Sequence, residues 1–251
     1  MSGDDRKRDT ADEAPEELRS FGRRRGRKPS PNQQRIFDDV LPPLRAMADG
    51  DTTLTARLSA EITSGARPIW LEIGFGGSEH LIWQARANPD VLLIGCEPFL
   101  DGVVKAAARI ETGSLENVRL HDDDARPLLR ALPDASIDRA FILFPDPWPK
   151  KRHVKRRLIN SALLDELARV AQPGAELRVG TDIADYARTI LLAVLAHPGW
   201  DWPARDRSDW AVRPEDWPRT RYEQKAEREG RRSSYFRFIR QPAAPNLLNG
   251  R

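Results

Sequence analysis

The sequence predicts an α/β fold: a mostly parallel sheet with helices on both faces and an antiparallel strand at its C-terminal edge. Three observations carry this reading. Short apolar runs alternate with segments of helical period from Pro68 to His197. The runs are continuously apolar, as strands covered on both faces must be. Each run is followed by a helix long enough to return the chain to the same end of the sheet, and such returns are right-handed crossovers. The chain has 251 residues, 39% of them hydrophobic and 31% charged, which suits one ordinary domain with polar tails. No internal repeat appears.

Residues Met1 to Pro31 lack hydrophobic periodicity, mix both charge signs with Gly, Pro and Ser, and are expected to be a disordered extension. The domain is expected over residues 32–240, with a short tail at 241–251. From Gln33 to Asp49, Ile36, Val40, Leu41, Leu44 and Met47 follow helical spacing around Pro42-Pro43, predicting a short broken helix. Pro68 to Phe75 reads as the first strand. Ser78 to Ala87 reads as a helix with Ser78 as its N-cap and Leu81, Ile82 and Ala85 on one face. Val91–Cys96 is the second strand and Leu100–Ile110 the second helix; Val118–His121 and Ile137–Phe144 are strands flanking a short helix over Ala125–Leu132. Leu158–Ala171 is strongly periodic and is closed by Pro173-Gly174; strand Glu176–Gly180 and helix Tyr186–His197 follow. Ser234–Ile239 alternates like a final edge strand.

Composition narrows the function class. One cysteine, Cys96, excludes an internal disulfide framework, and His80, His121, His153 and His197 show no metal-ligand spacing, so no metal is expected. The N-terminus lacks the apolar core of a signal peptide, and no apolar run reaches the roughly 20 residues of a membrane span. A cytoplasmic protein without membrane contact is expected. No residue pattern speaks to oligomeric state; a monomer is the simplest expectation. Formal net charge is only +3, but the bases are grouped. Arg19–Lys28 and Lys150–Arg157 each hold six bases and no acid, and Pro218–Arg232 holds six against three acids. Solvated faces are the plain reading; a phosphate-binding surface assembled from separate segments is the sharper one.

Ligands in such sheets bind beyond the carboxyl ends of the strands. There the sequence places Glu72 to Ser78 with Gly74, Gly76 and Gly77, then Glu97-Pro98, Asp122-Asp123-Asp124, Pro145-Asp146-Pro147-Trp148 and Thr181-Asp182. The glycines permit a tight turn and close approach of a ligand. Glu97 can accept both hydroxyls of a ribose, or cap a helix. A dinucleotide fingerprint starting at Gly74 would put Glu79 where Gly or Ala is required, and crowded carboxylates repel a diphosphate. They suit the cationic amino group and sulfonium of S-adenosylmethionine. Asp124 could accept the adenine amine or act as an N-cap.

In Phe144–His153, three prolines hold Asp146 and Trp148 ahead of a basic cluster. Trp148 could stack on a base and the Lys and Arg side chains could hold phosphates, or the Trp could simply pack. A nicotinamide oxidoreductase shares the strand pattern but lacks a hydride-transfer constellation. A noncatalytic RNA-binding module explains the bases but not carboxylates at four strand tips.

These residues resemble bacterial tRNA (guanine-N(7)-)-methyltransferases, class I S-adenosylmethionine enzymes. LEIGFG, GCEPF, FPDPWPKKRHVKRRL, VGTD and TRYEQKAEREG occur in order between Arg35 and Arg240. The resemblance implies a class I methyltransferase Rossmann-like fold and a donor site of Glu72, Gly74, Gly76, Glu97, Asp124 and Asp146, with Asp146 catalytic. It further implies that Lys150, Asp182, Thr220, Arg221, Tyr222 and Glu223 contact tRNA, and that the target is guanine-46 of the variable loop. The usual Thr-Lys-Phe-Glu is here Thr220-Arg221-Tyr222-Glu223, and Ser78 stands where many such enzymes have a third loop glycine.

Overall fold

The computed structural model describes residues 28–48 and 53–242; the expected N-terminal extension up to residue 27, and the tail from residue 243, lie outside the described residues. The described residues open with α1 (Pro31–Arg35), a π-helical turn (Ile36–Val40) and a 3-10 turn (Pro42–Leu44), which is the broken helix that Pro42-Pro43 predicts. α1 starts inside the segment expected to be disordered, because Ser30 and Gln33 form a reciprocal capping box. Next come α2 (Ala56–Ser64), β1 (Ile69–Ile73), α3 (Glu79–Ala87), β2 (Leu92–Cys96), α4 (Leu100–Gly113), β3 (Val118–His121) and α5 (Ala125–Ala131). β4 (Ile137–Leu143) leads through a 3-10 turn (Lys151–Arg156) to α6 (Ser161–Val170), β5 (Ala171–Thr181) and α7 (Ala184–Leu195). The chain ends with β6 (Trp200–Asp201), α8 (Ser208–Ala211), α9 (Arg221–Arg228) and β7 (Ser234–Arg240).

The sheet order is β3-β2-β1-β4-β5-β7-β6. β1 to β5 are parallel, and β7 runs antiparallel to β5 as its alternation predicts. Two-residue β6 pairs with the far end of β7. Strand order reverses between β1 and β4, so a crevice opens at their carboxyl ends.

Side-chain alternation sorts the core into two layers. Ile69, Leu71 and Ile73 of β1 and Leu92, Ile94 and Cys96 of β2 face α5, α6 and α7. Leu93 of β2 and Val118 and Leu120 of β3 face α3 and α4. Glu72 lies between Leu71 and Ile73 and therefore points to the α3 side, paired in register with Gly95 and Phe141.

Three local readings change. The Pro173-Gly174 pair lies inside β5, which begins at Ala171 directly after α6. From Ile137 to Arg139, β4 advances two residues while β5 advances five, and Gly174 takes φ +85° in that bulge. α2 had no expectation behind it: it is capped by Thr55, stopped by left-handed Gly65, and buries only Leu58 fully. Ser78 precedes α3 as predicted but has φ +65° and no side-chain capping bond; its hydroxyl instead accepts from Arg109 Nη1 at 3.0 Å.

Candidate active site

The loop between β1 and α3 turns on left-handed Gly74 (φ +79°) and Gly76 (φ +51°), which side chains rarely allow. Arg109 holds the loop by donating to the Gly77 carbonyl at 2.6 Å. Glu97, at the tip of β2, reaches across to it: Oε2 accepts from Gly76 N–H at 2.8 Å and Oε1 from Phe99 N–H at 2.9 Å. Burial raises the Glu97 carboxyl above the usual range; the two backbone hydrogen bonds oppose this, and the charges of Asp146 and Glu72 add to it. Glu72, Glu97 and Asp146 therefore share one electrostatic field, as the sequence predicts for strand tips.

Glu72 is 3% exposed, and its Oε2 is 2.8 Å from His80 Nδ1 on α3. Asp124 is the N-cap of α5 and accepts from Arg126 N–H at 2.9 Å and from the Arg126 guanidinium at 2.7 and 2.5 Å. Burial pushes this carboxyl up, but the Arg126 bonds outweigh it and hold it below the usual range. Of the two readings of Asp124, this arrangement realises the cap, with both carboxylate oxygens engaged by Arg126.

The proline loop after β4 is held at both ends. Phe144 (φ +51°) and Trp148 (φ +42°) take left-handed backbone, a strained conformation that surrounding contacts must enforce. Phe144 N–H donates to the Gly180 carbonyl at 2.7 Å, and Arg157 Nε donates to the Pro147 carbonyl at 3.0 Å. Asp146 is exposed between these fixed points. The basic cluster divides: Arg157 is buried, paired with Asp185 and bonded to Thr189 Oγ1 at 2.5 Å, whereas Lys150, Lys151, Arg152 and Lys155 are exposed. Trp148 is partly buried, with the Arg156 guanidinium 5.2 Å from its ring centre, so packing engages the ring expected to stack on a base. Slight burial, then the cations Arg156, Arg152 and Lys150, lower the His153 imidazole below its usual range.

Asp182, beyond β5, pairs with Arg231 at 2.7 Å. The Thr220–Glu223 motif forms the first turn of α9, and helical geometry splits it. Thr220 and Glu223 are buried in a capping box, with Glu223 also receiving the Tyr235 hydroxyl and Arg213 Nε at 3.2 Å. These two side chains, expected to touch the substrate, are spent inside the protein and instead fix the turn. Arg221 and Tyr222 point outward: Arg221 Nε is 2.5 Å from Glu79 Oε1, and a Cβ placed on Gly76 would lie 3.4 Å from the Tyr222 ring. Burial raises the Tyr222 hydroxyl, and the Glu97 and Asp146 charges raise it further, so this ring belongs to the same cluster as those two carboxylates.

Geometry thus brings Glu72, Gly74, Gly76, Glu97, Asp146 and Tyr222 to one end of the sheet. Asp124 lies at that end but tied to Arg126, and Lys150 leads a basic ridge beside Asp146. Excess carboxylate beside a glycine loop suits a cationic ligand with ribose hydroxyls, and a Cβ on Gly74 would meet nothing within 4 Å. S-adenosylmethionine fits this set of residues in charge. Sequence reasoning missed His80, whose partner is on a strand eight residues earlier, and Gly102, where a glycine inside a helix was the available signal.

Comparison with known proteins bears on family and fold. A family described as "Putative methyltransferase" matches residues 66–235. A tRNA (guanine-N(7)-)-methyltransferase of Rhodospirillum rubrum is 45% identical, covering 91% of this chain and 90% of its own. Those of Ruegeria sp. (strain TM1040) and Hyphomonas neptunium are each 48% identical, covering 88% and 83% of this chain and 87% and 93% of their own. Among solved structures, an antibiotic-related methyltransferase (TM-score 0.53, 16% identity, 78% of this chain and 98% of that one) has the same fold. So does the 16S rRNA (adenine(1408)-N(1))-methyltransferase from Catenulisporales acidiphilia (TM-score 0.52, 19% identity, 80% and 99%). With the sheet order and this coverage together, the chain belongs to the tRNA (guanine-N(7)-)-methyltransferase family, on a methyltransferase Rossmann-like fold.

Proposed function

We propose that this protein transfers a methyl group from S-adenosylmethionine to N7 of a guanine in tRNA, guanine-46 of the variable loop, leaving 7-methylguanosine. The observation that carries the reading is the placement of Asp146: exposed on a loop fixed at both ends, within the field of Glu97 and ahead of an exposed basic ridge. That juxtaposes a cation-binding end with a phosphate-binding one.

S-adenosylmethionine supplies a methyl group on a positively charged sulfur, which keeps the bonding electron pair and leaves as a neutral thioether. Guanine N7 carries an in-plane lone pair and no proton, so no residue is needed as a base to create the nucleophile. The residues' work is alignment and charge stabilisation. Glu72 and Glu97 attract and orient the cationic donor. Asp146 stabilises the guanine as it acquires positive charge, and the strained backbone around it keeps that carboxylate in place. Lys150, Lys151, Arg152 and Lys155 hold RNA phosphates, and Arg221 and Tyr222 contribute from α9 across the donor loop. Asp182 acts from the end of β5 through its pairing with Arg231.

The test is transfer of label from methyl-labelled S-adenosylmethionine to unmodified tRNA, followed by nucleoside digestion and mapping. Label in 7-methylguanosine at guanine-46 is expected. Label in another nucleoside would overturn the acceptor assignment, and absence of donor binding would overturn the whole reading.

A further inference from the structure

Behind the donor carboxylate lies a buried polar chain that the mechanism above does not use. His80 and Gln84, 3% and 1% exposed, sit one turn apart on α3. Gln84 Nε2 donates to the Asp216 carbonyl at 2.8 Å and lies 3.1 Å from His80 Nε2. Asn88 Nδ2 donates to Gln84 Oε1 at 3.1 Å, which fixes the amide with its nitrogen toward the histidine. A donor facing Nε2 makes that ring nitrogen the acceptor, so the proton sits on Nδ1, 2.8 Å from Glu72 Oε2. The ring is packed between Phe141 and Trp217, with centroids 4.7 and 5.9 Å away. The side-chain bonds from Asn88 through Gln84 and His80 to Glu72 thus all run in one direction, and the Asp216 carbonyl takes a further N–H of Gln84.

Burying a carboxylate, an imidazole and an amide among aromatic rings is costly, and apolar side chains would fill the space as well. A neutral N–H donor does what a cation would not: it fixes the carboxylate without cancelling its charge. We infer that His80, backed by Gln84, is a positioning residue for the donor carboxylate Glu72, and registers the Asp216 segment leading into α9 against it. The inference rests on the methyl-donor reading given above.

The test compares His80→Leu, which removes both ring contacts, with His80→Asn, whose amide can replace the Nδ1 donor. His80→Leu is expected to weaken S-adenosylmethionine binding about tenfold or more, as loss of an orienting partner does elsewhere. KM for tRNA and kcat at saturating donor should stay within about twofold, and His80→Asn should recover donor binding to within about threefold. A folded His80→Leu protein binding donor like the wild type overturns the inference. If that variant does not fold, nitrogen-15 spectra of the histidine-labelled wild-type protein decide: a protonated Nδ1 with bare Nε2 is expected, and the opposite tautomer overturns it. Wild-type protein that fails to bind donor would instead defeat the methyl-donor reading.

Discussion

Gly102 gives the sharpest test of how the donor loop is built. It lies buried in the first turns of α4, and an added Cβ would fall well inside 3 Å of the Gly76 carbonyl oxygen and 3.3 Å from Glu97 Cγ. Ordinary carbon–oxygen contacts are about 3.3–3.6 Å, so Gly102→Ala demands a displacement approaching about 1 Å. The obstacle is backbone and cannot rotate away. Such overpacking costs about 1–3 kcal/mol, while replacing a helical glycine with alanine returns about 0.5–1 kcal/mol. The difference leaves a loss of up to roughly 2.5 kcal/mol, a melting temperature lower by up to several degrees. Function should suffer more, because the displaced Gly76 N–H is the one that holds Glu97 Oε2 at 2.8 Å. A misplacement of about 1 Å can cost about a hundredfold, so kcat/KM should fall by about that factor and donor affinity by about tenfold. Calorimetric donor titration beside thermal melting checks both. A variant that melts higher than wild type, as helix propensity alone dictates, and binds donor within about twofold would refute the packing argument.

Asp146→Asn should keep donor affinity within a few-fold while turnover falls by about a hundredfold or more, since it removes charge only where the guanine becomes cationic; single-turnover kinetics separate the two. Lys150→Ala should weaken tRNA binding and lower the slope of log affinity against log salt by about one, and an unaltered slope would remove Lys150 from the phosphate contacts. Glu97 links donor binding to acidity. Its raised carboxyl keeps a proton at a pH where the unfolded chain has lost it, so the Glu97 contribution to folding stability declines as pH rises from the ordinary carboxylate range through the raised value. Donor affinity should rise over that same window, because only the ionised carboxylate attracts the cation. Calorimetric donor titration against pH checks this, and a donor affinity flat down to the ordinary carboxylate range would contradict it.

What the sequence made legible follows from which forces are local. β2 (Leu92–Cys96) is bounded in the structure within a residue of where its apolar run Val91–Cys96 is bounded, because a strand buried on both faces advertises itself by composition alone. α2 did not, since its apolar stripe on nine residues is short, chiefly Leu58 and Ile62 one turn apart. Its Thr55 cap and Gly65 stop were further cues. Pro173-Gly174 misled because the pair that commonly ends a helix also builds a bulge, and only pairing with β4 distinguishes them. At the site, strand-tip carboxylates and loop glycines could be placed from order along the chain. Partners such as Arg126 for Asp124, Arg231 for Asp182 and His80 for Glu72 depend on which side chains meet in space.

The fate of the Thr220–Glu223 motif shows why a residue's membership in a functional motif does not fix its role. In a first helical turn, the cap and the residue three positions on share a side, so a capping box spends Thr220 and Glu223 on each other and on Tyr235. Arg221 and Tyr222 are thereby forced outward, where Arg221 meets Glu79 and Tyr222 crosses Gly76. On the proposed function, charge and aromaticity matter at the two middle positions, while the outer two need only hydrogen-bonding geometry. The same division appears around Asp146: Arg157, within a basic run, serves as a buried clamp on Pro147, and its neighbours Lys150 and Lys151 stay exposed. In both places the exposed groups depend on buried polar partners for their direction. Loosening those partners should therefore degrade function before it unfolds the protein, because neither large apolar layer includes them.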